Sequence, residues 1–489
     1  VSAGSQGAVM DGRLGYSASL SYFDTEGISL ASRAPGNTEE DGYDNLSFIA
    51  NADYDFTSRL SGRAGVRWSD SKNETDTNFT QTFNPSGPFY RPDLPPFLFQ
   101  DSEGFVESTQ GIYYAGLAYE GDLVSHDAQI SFTDLDTESE DPGGAFVSEG
   151  QGLEAQYFAT IDIGQAGVLG EESFLLIGAD AREDSAFYDQ VRGFEFAAID
   201  ETLGNTGVFA NANLQLADGL FLSLSGRYDD NERFGGVETG RAAIAYTLPE
   251  GTTGDALSVK LRASYGTGRE APGLRQLFGR SATFRGNPDL EPEETFMYDA
   301  GVDLDFNQGR FVLSLTGYTG EADNGIFNVF DPATATSSPQ NISSVVEMAG
   351  IEVEALMRFS PAAELSIAYT NAKSEIEATG QQLFGRPENE ISFALTTRPT
   401  DRFTFVIDGY ARSDFFSDYP QDFELDGYAL LNASGRYDLT DQVELQAGVK
   451  NIFDEDYEEK LGDATFGRTF EARISFSWLW ATGFGFAAG

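Results

Sequence analysis

Cysteine is absent from the 489 residues, and histidine occurs once, at His126. The fold therefore has no disulfide and no thiolate metal site, and a Ser-His-Asp catalytic set has a single imidazole to draw on. Basic residues are also scarce: 30 lysines and arginines face 79 aspartates and glutamates, for a net charge of −49. Such a chain repels nucleic-acid phosphates, and its acids serve either as a solubilising surface or as a field favouring neutral and cationic ligands. No apolar run reaches the roughly 18 residues of a membrane-crossing helix, and no stretch alternates strand and helix as soluble α/β domains do.

What the chain does have is glycine, 54 residues, and aromatics at 13%, with a hydrophobic fraction of only 40%. A barrel wall needs apolar side chains only at every second position, because the alternate ones face a wet lumen. Arg13 to Phe23 (RLGYSASLSYF) shows that period, with Leu14, Tyr16, Ala18, Leu20 and Tyr22 on one face and Ser17, Ser19 and Ser21 on the other. Leu220 to Tyr228, Phe403 to Arg412 and Phe470 to Trp478 repeat it. The pattern assigns Leu14, Leu220, Leu224, Phe405, Ile407 and Ile474 to lipid, and Ser17, Ser223, Asp408 and Arg473 to the lumen.

Connections alternate in length. Phe56 to Arg59 and Gly121 to Leu123 are short, whereas Lys72 to Ser108 and Asp136 to Gly150 read as long loops; later tight turns fall near Asn307, Pro361, Thr400 and Thr440. Short periplasmic turns and long external loops distinguish outer-membrane barrels from sandwiches and propellers. The expected fold is all-β: a transmembrane antiparallel barrel of about 22 strands. Along the chain 21 strands are legible, from Val1 to Ala8 through Arg468 to Trp478, so parity places one further strand ahead of Val1.

The densest motif is SYGTGREAPGLRQLFG (Ser264 to Gly279) followed by GNPDLEPEET (Gly286 to Thr295); NIFDEDYEE (Asn451 to Glu459) and GRTFEARISFSW (Gly467 to Trp478) come near the end. Gly266 and Gly268 do not make a phosphate loop, since no GK[ST] follows. These segments resemble the signatures of TonB-dependent outer-membrane receptors, with Gly266, Pro272, Asn287, Pro288, Leu290, Pro292, Glu293, Asn451, Phe453, Asp454 and Tyr457 at the matching positions. Gly273 stands where that family often has Ser or Asn. AGIEVEA (Ala349 to Ala355) and GRPENEISF (Gly385 to Phe393) also match strand starts, and loop lengths come nearest to the cobalamin receptors.

The resemblance implies a bacterial outer-membrane protein, not an enzyme, that binds a large scarce nutrient and imports it with energy from TonB. It further implies an N-terminal plug and a TonB-recruiting segment ahead of Val1, contact with outer-membrane lipid and lipopolysaccharide, and a monomer. A passive porin-like pore or an adhesion barrel is the alternative. The expected organisation is a barrel over 1–478 and a tail over 479–489 beyond the terminal aromatic Trp478.

Two loops carry ligand expectations. Thr133 to Pro142 gathers Asp134, Asp136, Glu138, Glu140 and Asp141, the hard oxygens Ca²⁺ prefers, where cobalamin receptors carry a calcium-binding loop. The loop Lys72 to Ser108 sets Phe89, Tyr90, Phe97 and Phe99 among five prolines, either for ligand capture or for packing over the mouth. Acidic loops disfavour strongly anionic ferric siderophores and leave cobalamin, neutral chelates, haem or oligosaccharides.

Overall fold

The structure, a computed structural model, describes residues 1–28, 40–80, 97–141, 144–167, 169–192, 198–249, 251–254, 256–280, 284–331, 336–342, 344–417, 424–460 and 464–477. The first half of the chain forms β1 (Ser2–Val9), β2 (Leu14–Thr25), β3 (Tyr43–Asp55), β4 (Leu60–Thr80), β5 (Phe97–Glu120), β6 (Val124–Asp141), β7 (Gly144–Asp162), β8 (Phe174–Arg192), β9 (Ile199–Ala217), β10 (Leu220–Asn231), β11 (Gly235–Thr247) and β12 (Leu257–Glu270). A short helix, α1 (Leu274–Phe278), precedes β13 (Glu293–Phe306), β14 (Phe311–Asp323), β15 (Ile326–Asp331), β16 (Thr336–Asn341), β17 (Val346–Ser360), β18 (Ala363–Ile376) and β19 (Gln381–Gln382). The last are β20 (Asn389–Thr400), β21 (Phe403–Arg412), β22 (Phe415–Phe416), β23 (Glu424–Leu425), β24 (Tyr428–Thr440), β25 (Val443–Lys450) and β26 (Thr469–Phe476).

One antiparallel sheet takes in 22 of these strands, and the pairs β15–β16 and β22–β23 stand apart as small ribbons. Within the sheet β19 adds only two residues beside the end of β18, so the long strands number the 21 legible in the sequence. Each inner member pairs with the long strands before and after it, β1 pairs with β2 alone and β26 with β25 alone, as in an up-and-down meander.

Side-chain parity gives the sheet two unlike faces. Across β21, β24, β25 and β26 one row reads Phe403, Tyr437, Leu445, Ile474, and the adjacent row on the other face reads Thr404, Arg436, Gln446, Arg473. Leu224 lies between Ala212 and Ala242 on the apolar face, while Ser17 receives a hydrogen bond from Asn51 on the polar one. The ten residues named from the sequence group as expected, the six apolar ones on one face and the four polar ones on the other. The apolar face is bare, with Ile474 62% exposed, which only a lipid environment makes inexpensive.

The band can be measured on β6, whose apolar-face row runs His126, Ala128, Ile130, Phe132, then Asp134, Asp136 and Glu138. Eight residues separate His126 from Asp134, about 27 Å along the strand and about 21 Å along the barrel axis at a tilt near 40°, close to the ~25 Å of an outer-membrane apolar belt.

Turn chemistry explains the close connections. Gly219 closes β9–β10 with φ +72°, and a Cβ there would lie 2.5 Å from the Thr247 carbonyl oxygen, so only glycine fits. The alternation of short and long connections is less strict than the sequence suggested. At the long-loop end β10 and β11 are separated by only residues 232–234, and β6 runs to Asp141 with β7 starting at Gly144. The expected loops Asp136 to Gly150 and Lys72 to Ser108 are mostly strand, because period-two alternation continues past the apolar band once the outward residues turn polar.

Candidate binding mouth

The long-loop end is organised by the segment after β12. Ala271, Pro272 and Gly273 turn the chain into α1, where Gln276 Oε1 accepts the Gly273 N–H at 2.9 Å. Pro272 and Leu277 are fully buried, and α1 packs against β8 and β9 across the inner wall. Arg233, from the β10–β11 turn, donates to the Pro288 carbonyl and sets its guanidinium 5.2 Å from the Phe278 ring.

The other side of this segment docks on the β15–β16 ribbon. Asn287 Nδ2 donates to the Pro339 carbonyl at 3.1 Å, Asn341 exchanges two 2.8 Å bonds with the backbone of Glu291, and the Glu293 carboxylate accepts the Ile326 N–H. Leu290 is 3% exposed and Pro292 is buried. These residues fasten loops to one another and give the mouth its shape. Gly266 shows no such requirement, since a Cβ there would meet only ordinary contacts with Arg241.

Beside this segment lies a cavity of about 620 Å³, lined by Asn205, Arg227, Asp229, Phe234, Arg269 and Pro272 among others. Arg227 is its electrostatic hub. The guanidinium meets Asp180 through two bonds of 2.6 and 2.8 Å and Asp229 through two of 2.7 and 2.6 Å, with the Phe209 ring 5.6 Å from it. Asn205 Nδ2 adds a 3.0 Å bond to Asp229. Arg269 points a different way: its Nε is buried without a hydrogen-bond partner, and Glu294 stands 3.8 Å off. Deeper on the same wall Arg63 pairs with Asp127 at 2.6 Å, and the Tyr114 ring lies across Gly65, where any Cβ would clash at 2.4 Å.

A second set of contacts ties down the last loops. Asn451, 4% exposed and left-handed at φ +48°, bonds both the N–H and the carbonyl of Glu455 at 2.9 and 2.8 Å. Asp454 Oδ1 accepts the Arg468 N–H at 2.7 Å, while Phe453 is 71% exposed at the rim. Tyr457 lies tilted against Tyr428 with ring centroids 4.2 Å apart, and burial, then Glu459, raises its phenol above the usual value. Arg412 stands 4.0 Å from the ring of the buried Phe415, with its Nε likewise unpartnered.

The sequence-derived candidates fall in three places. Phe89 and Tyr90 lie outside the described residues, and Phe97 and Phe99 belong to β5, opposite Thr80 and Asn78. Asp134, Asp136, Glu138 and Glu140 form an extended ladder on the apolar-face side of β6, with Asp141 its last residue. Carboxylates two residues apart on a strand are about 7 Å apart, and among the described residues no group of three or more His, Cys, Asp or Glu could hold a metal. The loop that was to wrap a cation is a hairpin. The family-motif residues, apart from Gly266 and exposed Phe453, are loop fasteners.

Missed from the sequence were Arg227, Asp180, Asp229 and Arg269. Parity put Arg227 on the polar face, but its partner Asp180 is 47 residues away and carries no local signal.

A family model described as TonB dependent receptor-like, beta-barrel, matches residues 11–452. The chain belongs to that family. It is therefore a bacterial outer-membrane receptor barrel and not an enzyme, with its short turns periplasmic and its long loops external. Among solved structures it is similar to the ferric enterobactin receptor of Pseudomonas aeruginosa, at 17% identity and TM-score 0.77, covering 98% of this chain and 77% of that one. The siderophore receptor PirA of Acinetobacter baumannii gives 14%, 0.77, 97% and 77%. The ferripyoverdine receptor of P. aeruginosa gives 16%, 0.76, 97% and 70%. At such identities the likeness is one of fold. The narrower kinship with cobalamin receptors finds no support in these matches.

Proposed function

We propose that this receptor captures an iron chelate bearing anionic oxygen donors at its external mouth and passes it inward with energy from TonB. The observation that carries the reading is the mouth cavity, where Arg269, its Nε buried without a hydrogen bond and the Glu294 carboxylate 3.8 Å away, lies beside the Arg227 network and Phe234. A buried guanidinium donor without a hydrogen bond is costly, and an oxyanion closer than the Glu294 carboxylate would satisfy it. The net charge of −49 pointed away from such ligands, but it does not describe this wall. Acids such as Asp70, Asp134, Asp136 and Glu138 lie on the outer face, whereas Arg63, Arg67, Arg182, Arg227, Arg241 and Arg262 lie on the inner one, where Asp127, Asp184, Asp180, Asp229 and Asp303 pair with four of them. Similarity to siderophore receptors supports the same class of ligand.

In this reading residues 1–478 supply the wall and external loops, 479–489 is an appendage, and a plug with its TonB-recruiting segment completes the site, because a lumen of this width selects nothing alone. Phe89, Tyr90, Phe97 and Phe99 are the aromatic candidates for further ligand contacts. Ca²⁺ enters only as a bridge between facing carboxylates such as Asp136 and Glu149. The receptor works as a monomer in contact with lipid and lipopolysaccharide.

The test is fluorescence titration of the plug-bearing receptor with ferric catecholates, ferric hydroxamates and cyanocobalamin. Tight binding of a ferric chelate, weakened at least ten-fold by Arg269→Ala, is expected. Tight cobalamin binding with no chelate bound would overturn the reading.

A further inference from the structure

The apolar face is not a uniform wall. Between β3 and β7 a trough of about 680 Å³ is sunk into it, lined almost wholly by apolar atoms. Its floor passes over Ala52, Ala64 and Ala115, register neighbours on β3, β4 and β5, and steps to Ala128 and Ala155 on β6 and β7. Large side chains rise beside it: Leu117 is 53% exposed, Ile130 51% and Phe56 51%.

The periplasmic end of the trough is polar. His126, two residues below Ala128, places Nδ1 2.8 Å from the Tyr157 hydroxyl, and its ring faces Tyr119 at a centroid distance of 6.2 Å. Arg59, in the β3–β4 turn, lies beside Tyr119 and pairs with Asp122 at 2.5 Å, with both charged side chains exposed. Donors and an acid thus gather where the apolar band meets the periplasmic interface.

We propose that this trough holds one glycerophospholipid of the periplasmic leaflet, an acyl chain lying over the alanines and the headgroup on the Arg59–Asp122–Tyr119–His126–Tyr157 cluster. Three observations fit that occupant. First, the apolar face lies in the membrane, so acyl chains are what surrounds it, and shallow side chains leave them room. Second, four inter-strand steps span about 19 Å, and at the usual strand tilt such a row descends about 13 Å, close to one leaflet of a ~30 Å hydrocarbon core. Third, the polar end offers cationic, hydroxyl and carboxylate groups together, which complement a phosphate and an ammonium. A lipopolysaccharide would present its headgroup at the opposite end, beside the carboxylates of Asp134, Asp136 and Glu138.

Native mass spectrometry of the receptor extracted from outer membranes in mild detergent, with identification of co-purifying lipid, tests the proposal. One glycerophospholipid per chain should survive on the unaltered protein. Ala64→Phe with Ala115→Phe fills the trough and should cut the retained fraction at least ten-fold, while Ala433→Phe, outward on β24, should leave it unchanged. Arg59→Ala with His126→Phe leaves the trough open and should lower retention several-fold, so the test survives if the filled variant fails to insert. The proposal falls if the unaltered protein arrives without lipid, if all variants retain lipid equally, or if the retained lipid is lipopolysaccharide. It also falls if the trough proves to seat a second copy, seen as a dimer that the double phenylalanine variant dissociates.

Discussion

Removing the guanidinium at the centre of the mouth is the most informative single perturbation. In Arg227→Leu, Asp180 and Asp229 lose four bonds of 2.6–2.8 Å and face one another across the vacated space, with Asn205 the remaining donor to Asp229. The side chains are 33%, 12% and 18% exposed, which places the network between a surface pair worth about 0–1 kcal/mol and a buried pair whose disruption costs about 3–5 kcal/mol. An intermediate loss of about 2 kcal/mol follows. Urea unfolding of the receptor in lipid vesicles reads it directly. The loss has a pH signature, because in the folded variant two carboxylates repel one another with no guanidinium between them. Their repulsion is present at neutral pH and fades as pH falls towards the ordinary aspartate value of about 3.9. Adding Asp180→Leu and Asp229→Asn should recover most of the loss. A variant as stable as the parent at pH 7, or a deficit that grows on acidification, would refute the reasoning.

Leu224→Arg should cost about 2–4 kcal/mol in the same assay, and Ser225→Arg, one residue on but inward, close to nothing; equal costs would reverse the facing of β10. Asn451→Ala should lower stability by about 1–3 kcal/mol, since it strips paired bonds from a buried left-handed turn, and limited proteolysis should then cut within residues 452–468 while the strands stay protected. Isothermal titration should show weak Ca²⁺ binding at most, in keeping with carboxylates about 7 Å apart along β6, and Asp136→Asn should abolish what there is; nanomolar binding would mean a cage that the hairpin does not have.

What could be read from the sequence and what could not divide along one physical line. The strand ladder was legible because facing depends on parity alone: Leu224 beside Ser225, or Ile474 beside Arg473, declares its side without knowledge of any partner. The motif residues Pro272, Asn287 and Asn451 were legible as a family signature, yet their work of fastening loop to loop emerged only when Pro339, Asn341 and Glu455 came within bonding distance. The acidic run 134–141 misled because charge in sequence reads as loop, whereas beyond the apolar band an outward strand position is as wet as a loop, and alternation runs on into it. Arg227 and Arg269 show the limit most sharply. Parity faces Arg227 inward, but whether a guanidinium is spent on neighbouring carboxylates or left with a buried donor is decided by residues tens of positions away on adjoining strands and in a folded-over loop. On the proposed reading, ligand specificity lives in that difference. A net charge summed over the chain is therefore a poor guide to its cargo, since outer-face acids and inner-face arginines meet different solvents and never share a site.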